Sequence, residues 1–359
     1  MPLDEPSWWY GSPSDDWRAR ALQPVAKLYG WATERRFAKA HPFRARVPIV
    51  CVGNFTAGGT GKTPMSLLIA DMLTELGERP AFLSRGYSGK QQGPAWVSPE
   101  RHRSNEVGDE PLLLAAAHPT LVSRDRVAGA RTIAVDEPSA TVIIMDDGLQ
   151  NPALEKDLRI AVVDGIRGIG NGQLIPSGPL RAPLPFQFAM TDVVVVNTPP
   201  GSNNEGNHAD QPGSVLARLR QSFPGPVLSV TPEPAGDTSW LREAPVIAFA
   251  GIANPGRFFR LLESLGAQLL ARHEFRDHHR FTESEAERLL QRASAMGAQL
   301  VTTEKDLVRL GRDGSAMTMR LRQATRALPI RLRFSDGDRT RMVAQLEALT
   351  ARRDKPAAT

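Results

Sequence analysis

The chain has 359 residues, of which 41% are hydrophobic and 23% charged, and a formal net charge of +5. That length holds two α/β domains with sizeable cores, and the composition excludes a disordered or collagen-like chain. A single cysteine, Cys51, rules out an intrachain disulfide. The basic balance favours acidic partners such as phosphates or anionic lipid without choosing among them.

The first 46 residues form a distinct segment. They carry Trp8, Trp9, Trp17 and Trp31, four of the six tryptophans, with Tyr10 and Tyr29. Asp15 or Asp16 can cap a helix running to about Ala40. On that helix Trp17, Ala21, Val25, Leu28 and Trp31 fall on one side, with Arg18, Arg20, Lys27, Arg35 and Arg36 interleaved. A basic, aromatic helix of this kind lies in the headgroup layer of an anionic membrane, so residues 1–46 are expected to associate with a membrane. The plainer alternative is a helix packed on its own domain. No run approaches the roughly 20 apolar residues that span a bilayer. Asp4 and Glu5 come early and no apolar core follows, unlike a secretory leader. A cytoplasmic protein with surface membrane contact is the expectation.

From residue 47 onward, short apolar runs alternate with helical patterns. Strands are expected at 47–53, 80–85, 141–146, 158–164, 192–197, 226–231, 245–250, 267–273, 298–303 and 329–334. Helices are expected to start near Lys62 and Asp125 and to span 255–265, 282–296 and 338–350. Strand–helix–strand alternation specifies parallel sheets with crossover helices. Thr198 to Gly213 reads as a polar loop.

Gly58-Gly59-Thr60-Gly61-Lys62-Thr63 directly follows the strand ending at Val52-Gly53. Glycines let backbone N–H groups surround phosphate oxygens, and a helix starting at Lys62 points its positive end at the same anion. Lys62 then reaches the β- and γ-phosphates, and the Thr63 hydroxyl binds Mg²⁺. Thr56 and Ala57 complete the expected ATP cradle; Thr56 stands where the strict pattern has glycine, so this is a variant loop. The metal also needs a carboxylate at the end of a neighbouring apolar strand. The run Thr141–Met145 delivers Asp146, with Asp147 beside it as a further ligand or a water-orienting group. The expected fold is α/β: a P-loop NTPase-like parallel-sheet lobe over 47–190 and a second, smaller α/β lobe over 191–350 completing a cleft. An N-terminal amphipathic helix precedes them and a disordered tail, 351–359, follows.

Further motifs stand in order: Val52-Gly53-Asn54 before the loop, Ser84-Arg85-Gly86-Tyr87, Val107-Gly108-Asp109-Glu110-Pro111 and Asp146-Asp147-Gly148-Leu149-Gln150. After these come Gly170-Asn171-Gly172 with Pro176, Gly178-Pro179-Leu180-Arg181, Phe275-Arg276-Asp277-His278-His279 and Thr303-Glu304-Lys305-Asp306. Together they resemble the tetraacyldisaccharide 4′-kinase (lipid A 4′-kinase) family over about residues 15–310. The resemblance implies transfer of the ATP γ-phosphate to the 4′-hydroxyl of a tetraacyldisaccharide 1-phosphate, a glycolipid, with Mg²⁺, at the inner face of the cytoplasmic membrane. It assigns a catalytic base to Asp109 and its partner to His278, with neighbouring His279 as the rival. Phosphoryl transfer needs preorganised cations, and Lys62 and Mg²⁺ are their core; Arg85, Arg126 and Arg181 are candidates for holding substrate, and Tyr87 and Asn54 for lining the sugar site. Two positions depart from the family: Asn151 where relatives often have His, and Ala182 where they often have Glu. The competing function is a P-loop ATPase switch or delivery protein without a lipid acceptor. Such proteins usually carry a second lysine at the position of Ala57, which argues against it. Nothing resembles a nucleic-acid stacking platform, and oligomeric state is not legible.

Overall fold

The structure, a computed structural model, describes residues 5–11, 16–198, 213–311 and 315–353. Thirteen strands are found among them: β1 Ile49–Gly53, β2 Pro80–Ser84, β3 Ala95–Trp96, β4 Thr120–Val122, β5 Val142–Asp146, β6 Leu158–Asp164, β7 Val193–Asn197, β8 Val227–Pro234, β9 Val246–Ala250, β10 Leu269–Glu274, β11 Gln299–Thr303, β12 Thr325–Leu328 and β13 Ile330–Phe334. Nine of them form one sheet in the order β13-β8-β7-β6-β1-β5-β2-β4-β3. Its interior pairs are parallel, and its two edge pairs are antiparallel. The other four form a parallel sheet, β10-β9-β11-β12.

Continuous apolar runs specify the central strands because both sheet faces are covered. Every residue of β1, β2, β5 and β7 is buried. Alternate side chains feed two cores: Ile49 and Cys51 point into one, Val50 and Val52 into the other. The helix Lys62–Glu75 covers the second face with Met65, Ile69 and Leu73, joined by Met342 and Leu346 of the helix Asp336–Arg353. The smaller sheet is likewise flanked on both sides, by Pro255–Ser264 on one and by Glu283–Met296 and Ala316–Ala324 on the other.

Sheet membership divides the chain differently from the expected blocks 47–190 and 191–350. β7 and β8 extend the first sheet beyond residue 190, and β13 returns to its edge after the small sheet is complete. A run such as Val193–Val196 announces a strand covered on both faces, but does not say which sheet it joins. The loop expected from Thr198 to Gly213 lies, over 199–212, outside the described residues, as do Asp15 and residues 354–359. Residues 351–353 of the expected tail complete the last helix.

Asp16 is the N-cap of the first helix, Trp17–Ala38, its carboxylate accepting from the Arg18 N–H at 2.8 Å. The helix docks through small residues: Ala19, Ala26, Gly30 and Thr33 are buried. Gly30 abuts Leu174 and Pro183 so closely that a Cβ there would push the Leu174 side chain aside, and the Ser177 hydroxyl donates to the Ala19 carbonyl at 2.6 Å. The large side chains point the other way; Trp17 is 75% exposed and Leu28 63%, with Val25 and Trp31 also out.

Candidate active site

The phosphate loop occupies the C-terminal end of central strand β1, where open α/β sheets place their ligands. Gly58 and Gly61 have φ of 104° and 96°, a region side chains rarely adopt. A Cβ at Gly61 would collide with Asn197 Nδ2, which donates to the Thr60 carbonyl at 3.0 Å. A second strand-like segment braces the loop: Thr56 bridges to Leu180, the Ala57 N–H donates to Pro179 O at 2.8 Å, and the Arg181 N–H donates to Phe55 O at 2.9 Å. The motif Gly178–Arg181 is therefore structurally part of the phosphate site.

Lys62 and Thr63 open the helix that follows. Lys62 Nζ lies 3.8 Å from Asp147 Oδ2, and Arg181 Nη1 donates to Asp147 Oδ1 at 2.7 Å. Burial alone would raise the Asp147 pKa, but Lys62 and Arg181 outweigh it and hold the carboxyl far below its usual range. Asp147 itself has a left-handed φ of 50°, a conformation that clusters at functional turns. Asp146 accepts from Ser66 Oγ at 2.8 Å. Burial, reinforced by Glu110 and Asp147, pushes its pKa up to about 7. The Thr63 hydroxyl oxygen is buried with no hydrogen-bond partner. This unmatched hydroxyl lines the same cleft as Asp146 and Asp147, and hydroxyl and carboxylate oxygens are the donors a hard divalent cation takes, so the chemistry of Thr63, Asp146 and Asp147 fits Mg²⁺.

The opposite wall of the cleft comes from both lobes. Asp109 begins the short helix Asp109–Ala115, and His278 stands in the loop after β10, with a left-handed φ of 58°. His278 Nδ1 is 2.9 Å from Asp109 Oδ2. Arg309, at the end of the helix Glu304–Arg309, donates from Nε to the same oxygen at 2.6 Å. Burial works against ionisation of Asp109, but the His278 hydrogen bond and the Arg309 charge win and hold its pKa below the ordinary value. Alongside, Lys305 Nζ pairs with Glu110 at 2.6 Å. His279 is engaged elsewhere, 2.9 Å from Glu285.

The space between is a cleft of about 1440 Å³, lined by Lys62, Thr63, Asp146, Asp147, Arg181 and His278 among others. Arg85 and Tyr87 also line it, and the Tyr87 ring lies 5.3 Å from that of His278. Arg126 is buried; its Nη2 donates to the Asp146 carbonyl at 3.2 Å, and burial lowers its pKa to about 10. It braces the end of β5 as well as reaching the cleft. Asn54 departs from its expected place at the sugar site: it is fully buried beneath the phosphate loop, donating to the Gly58 carbonyl at 3.3 Å. Gln150 likewise braces, donating to the Asn54 carbonyl at 2.7 Å. Asn151 lines the cleft, whereas Ala182 is buried. Sequence reasoning missed Glu110, Arg257 and Arg309. Glu110 stands inside a recognised motif. Arg257, which reaches Asp164 at 3.4 Å from the second lobe, and Arg309 carry no local signal.

Anion-binding geometry at Lys62, with the imidazole of a carboxylate–imidazole pair lining the same cleft, suits transfer of a phosphoryl group to a hydroxyl, and it marks a P-loop phosphotransferase. A family model for tetraacyldisaccharide-1-P 4′-kinases matches residues 18–350. The chain is 44% identical over 354 residues to a tetraacyldisaccharide 4′-kinase of Parvibaculum lavamentivorans, covering 98% of this chain and 99% of that one. It is 45% identical over 349 residues to one from a Methylobacterium species, covering 97% and 98%. A crystal structure of LpxK from Aquifex aeolicus in complex with ATP superposes with a TM-score of 0.70 at 26% identity, covering 93% of this chain and 99% of that one. The chain belongs to the tetraacyldisaccharide-1-P 4′-kinase family.

Proposed function

We propose that this protein transfers the γ-phosphoryl group of ATP to the 4′-hydroxyl of a tetraacyldisaccharide 1-phosphate in lipid A synthesis, with the roles of its residues as follows. The backbone from Thr56 to Gly61 cradles the phosphates, and Lys62 neutralises charge developing on the transferred group. Thr63, Asp146 and Asp147 would hold Mg²⁺, which supplies further charge neutralisation and alignment of the phosphates. Arg181, tied to Asp147, orients that carboxylate, and Arg85 and Tyr87 offer contacts for the acceptor's phosphate and sugar.

A sugar hydroxyl attacks well only as its proton leaves. Asp109 is the base in this reading and His278 its orienting partner. His278, not Asp109, lines the cleft, and this favours a second allocation in which His278 Nε2 receives the proton and Asp109 stabilises the resulting imidazolium. The observation that carries the function is the pairing of an intact phosphate loop with the 2.9 Å Asp109–His278 contact on the facing wall.

Membrane contact follows from the first helix. Its outward face presents Trp17, Val25, Leu28 and Trp31, and Tyr29 and Arg36 from the same helix line the cleft. An acyl chain held at the membrane surface would thus meet the active site along one helix. No helix among the described residues is long and apolar enough to cross a membrane. In this reading the exposed face of the first helix is the surface for peripheral attachment at the cytoplasmic side of the inner membrane.

The test is incubation with γ-labelled ATP and a tetraacyldisaccharide 1-phosphate, followed by locating the label on the sugar. Label at the 4′ position is expected; ADP release that is indifferent to the glycolipid would establish the ATPase alternative instead.

A further inference from the structure

Arg309 carries a buried charge against Asp109. Its side chain is only 3% exposed, so it contributes nothing to the surface. A buried guanidinium persists only when fully paired, and three carboxylates surround this one. Nε donates to Asp109 Oδ2 at 2.6 Å, Nη1 donates to Asp306 Oδ1 at 2.8 Å and also to the Gly251 carbonyl, and Nη2 lies 3.7 Å from Asp277 Oδ1. Nη2 is also 3.5 Å from His278 Nδ1. Arg309 therefore touches both members of the candidate proton-accepting pair, and it does so from the other lobe relative to Asp109.

The geometry has a chemical consequence. Arg309 Nε and His278 Nδ1 converge on Oδ2 of Asp109, while Oδ1 has no protein donor among the described residues. Nη1 is anchored on Asp306 and the Gly251 carbonyl, so the planar group presents Nε to Asp109 from one fixed direction. His278 is then held with Nδ1–H toward Asp109 and Nε2 free of that bond, and the loop carrying it is pinned through the His278 N–H to the same Gly251 carbonyl, at 3.2 Å. The Gly251 N–H donates in turn to both oxygens of Asp306 at 3.1 Å. One guanidinium thus locks the Thr303–Asp306 motif and the Phe275–His279 motif onto Asp109.

We propose that Arg309 is a positioning residue for phosphoryl transfer: from the second lobe it holds one oxygen of Asp109 and keeps the Asp109–His278 pair oriented and ready to take the acceptor's proton. This rests on the pair being the proton acceptor, as argued above. The charged groups that bear on it are His278 and Arg309 against Asp109, Asp306 and Asp277 against Arg309, Asp277 again against His278, its Oδ2 3.8 Å from Nε2, and the neighbouring Glu110–Lys305 pair. Removal of the Arg309 charge raises the proton affinity of the pair, so activity falls on the acidic side at a higher pH than before.

The experiment is kcat as a function of pH for the full chain and for Arg309→Lys, Arg309→Met, Asp109→Asn and His278→Ala. A double variant, Arg309→Met with Asp306→Asn, removes the acid that Arg309→Met would leave buried without a counter-charge. Arg309→Met is expected to move the acidic limb up by about 1–3 pH units, the usual effect of a neighbouring arginine on an aspartate. The alkaline plateau recovers to within about tenfold of the parent, KM for ATP and glycolipid changes less than about twofold, and Arg309→Lys returns most of the shift. The double variant shows the same displaced limb with a melting temperature nearer the parent. A folded Arg309→Met or double variant whose rate drops by one factor at every pH, or whose limb does not move, overturns the proposal. If Asp109→Asn and His278→Ala both keep the parent kcat, the proton-acceptor reading fails on its own account; if they lose it while the limb stays put without Arg309, only the role of Arg309 fails.

Discussion

Replacing Lys62 with methionine keeps most of the length and the apolar character of the side chain and removes its charge. In the structure that charge is 10% exposed and lies 3.8 Å from Asp147 Oδ2. At an effective dielectric near 20, a pair at that distance attracts by about 4 kcal/mol at most. Asp147 keeps Arg181 at 2.7 Å, so most of the ground-state arrangement survives and the melting temperature should fall by only a few degrees, of the order expected for about 1 kcal/mol. Catalysis is affected differently. The ammonium acts on charge that spreads over the phosphoryl oxygens in the transition state, and loss of one such preorganised group costs about 2.7–4 kcal/mol, or roughly 10²–10³ in kcat. The assay is steady-state transfer from labelled ATP to the glycolipid, with calorimetry in parallel. A Lys62→Met protein that is folded and turns over within tenfold of the parent would refute the phosphate-loop assignment.

Other outcomes follow from the same geometry. Asp109→Asn should lower kcat by about two to four powers of ten, seen as a loss of rate with little change in KM; a change in KM alone would mark a binding role. Asp109 also makes a pH-dependent contribution to stability. Its folded pKa is depressed below the ordinary value, so its stabilisation is complete above about pH 4 and disappears as pH falls through the folded value. The melting-temperature gap between parent and Asp109→Asn should therefore be constant from pH 7 to 5 and close only in stronger acid. Gly61→Ala forces a Cβ onto a φ of 96° and against Asn197, and should abolish ATP binding measured by calorimetry. Leu28→Glu with Trp31→Glu changes exposed positions, and should leave the melting temperature unchanged while reducing sedimentation with anionic vesicles; equal sedimentation would remove the membrane role of this face.

The phosphate loop and the Asp146–Asp147 pair were legible because their signals are local. A glycine-rich turn, a lysine at a helix start and an acidic residue ending an apolar strand each lie within a few residues of one another, and backbone physics acts at that range. The ten expected strands match observed ones to within a few residues. The strands β3, β4 and β12 escaped because two to four residues, Ala95–Trp96, Thr120–Val122 and Thr325–Leu328, are too short to show a period. The helix Glu304–Arg309 escaped for the same reason.

By itself the sequence determined where the chain turns, which runs are buried on both faces, and where a phosphate can be held. Only the tertiary structure decided which sheet β13 joins, which side of the first helix is left bare, and what surrounds Asp109. Trp17 and Leu28 look like an anchoring face from their spacing, but whether that face is packed or open depends on the partner surface, here the close approach of Gly30 to Leu174 and Pro183. Asp109 meets His278 across 169 positions and Arg309 across 200. Contacts at that separation are fixed by how two sheets and their connecting helices pack, and no periodicity along the chain encodes them.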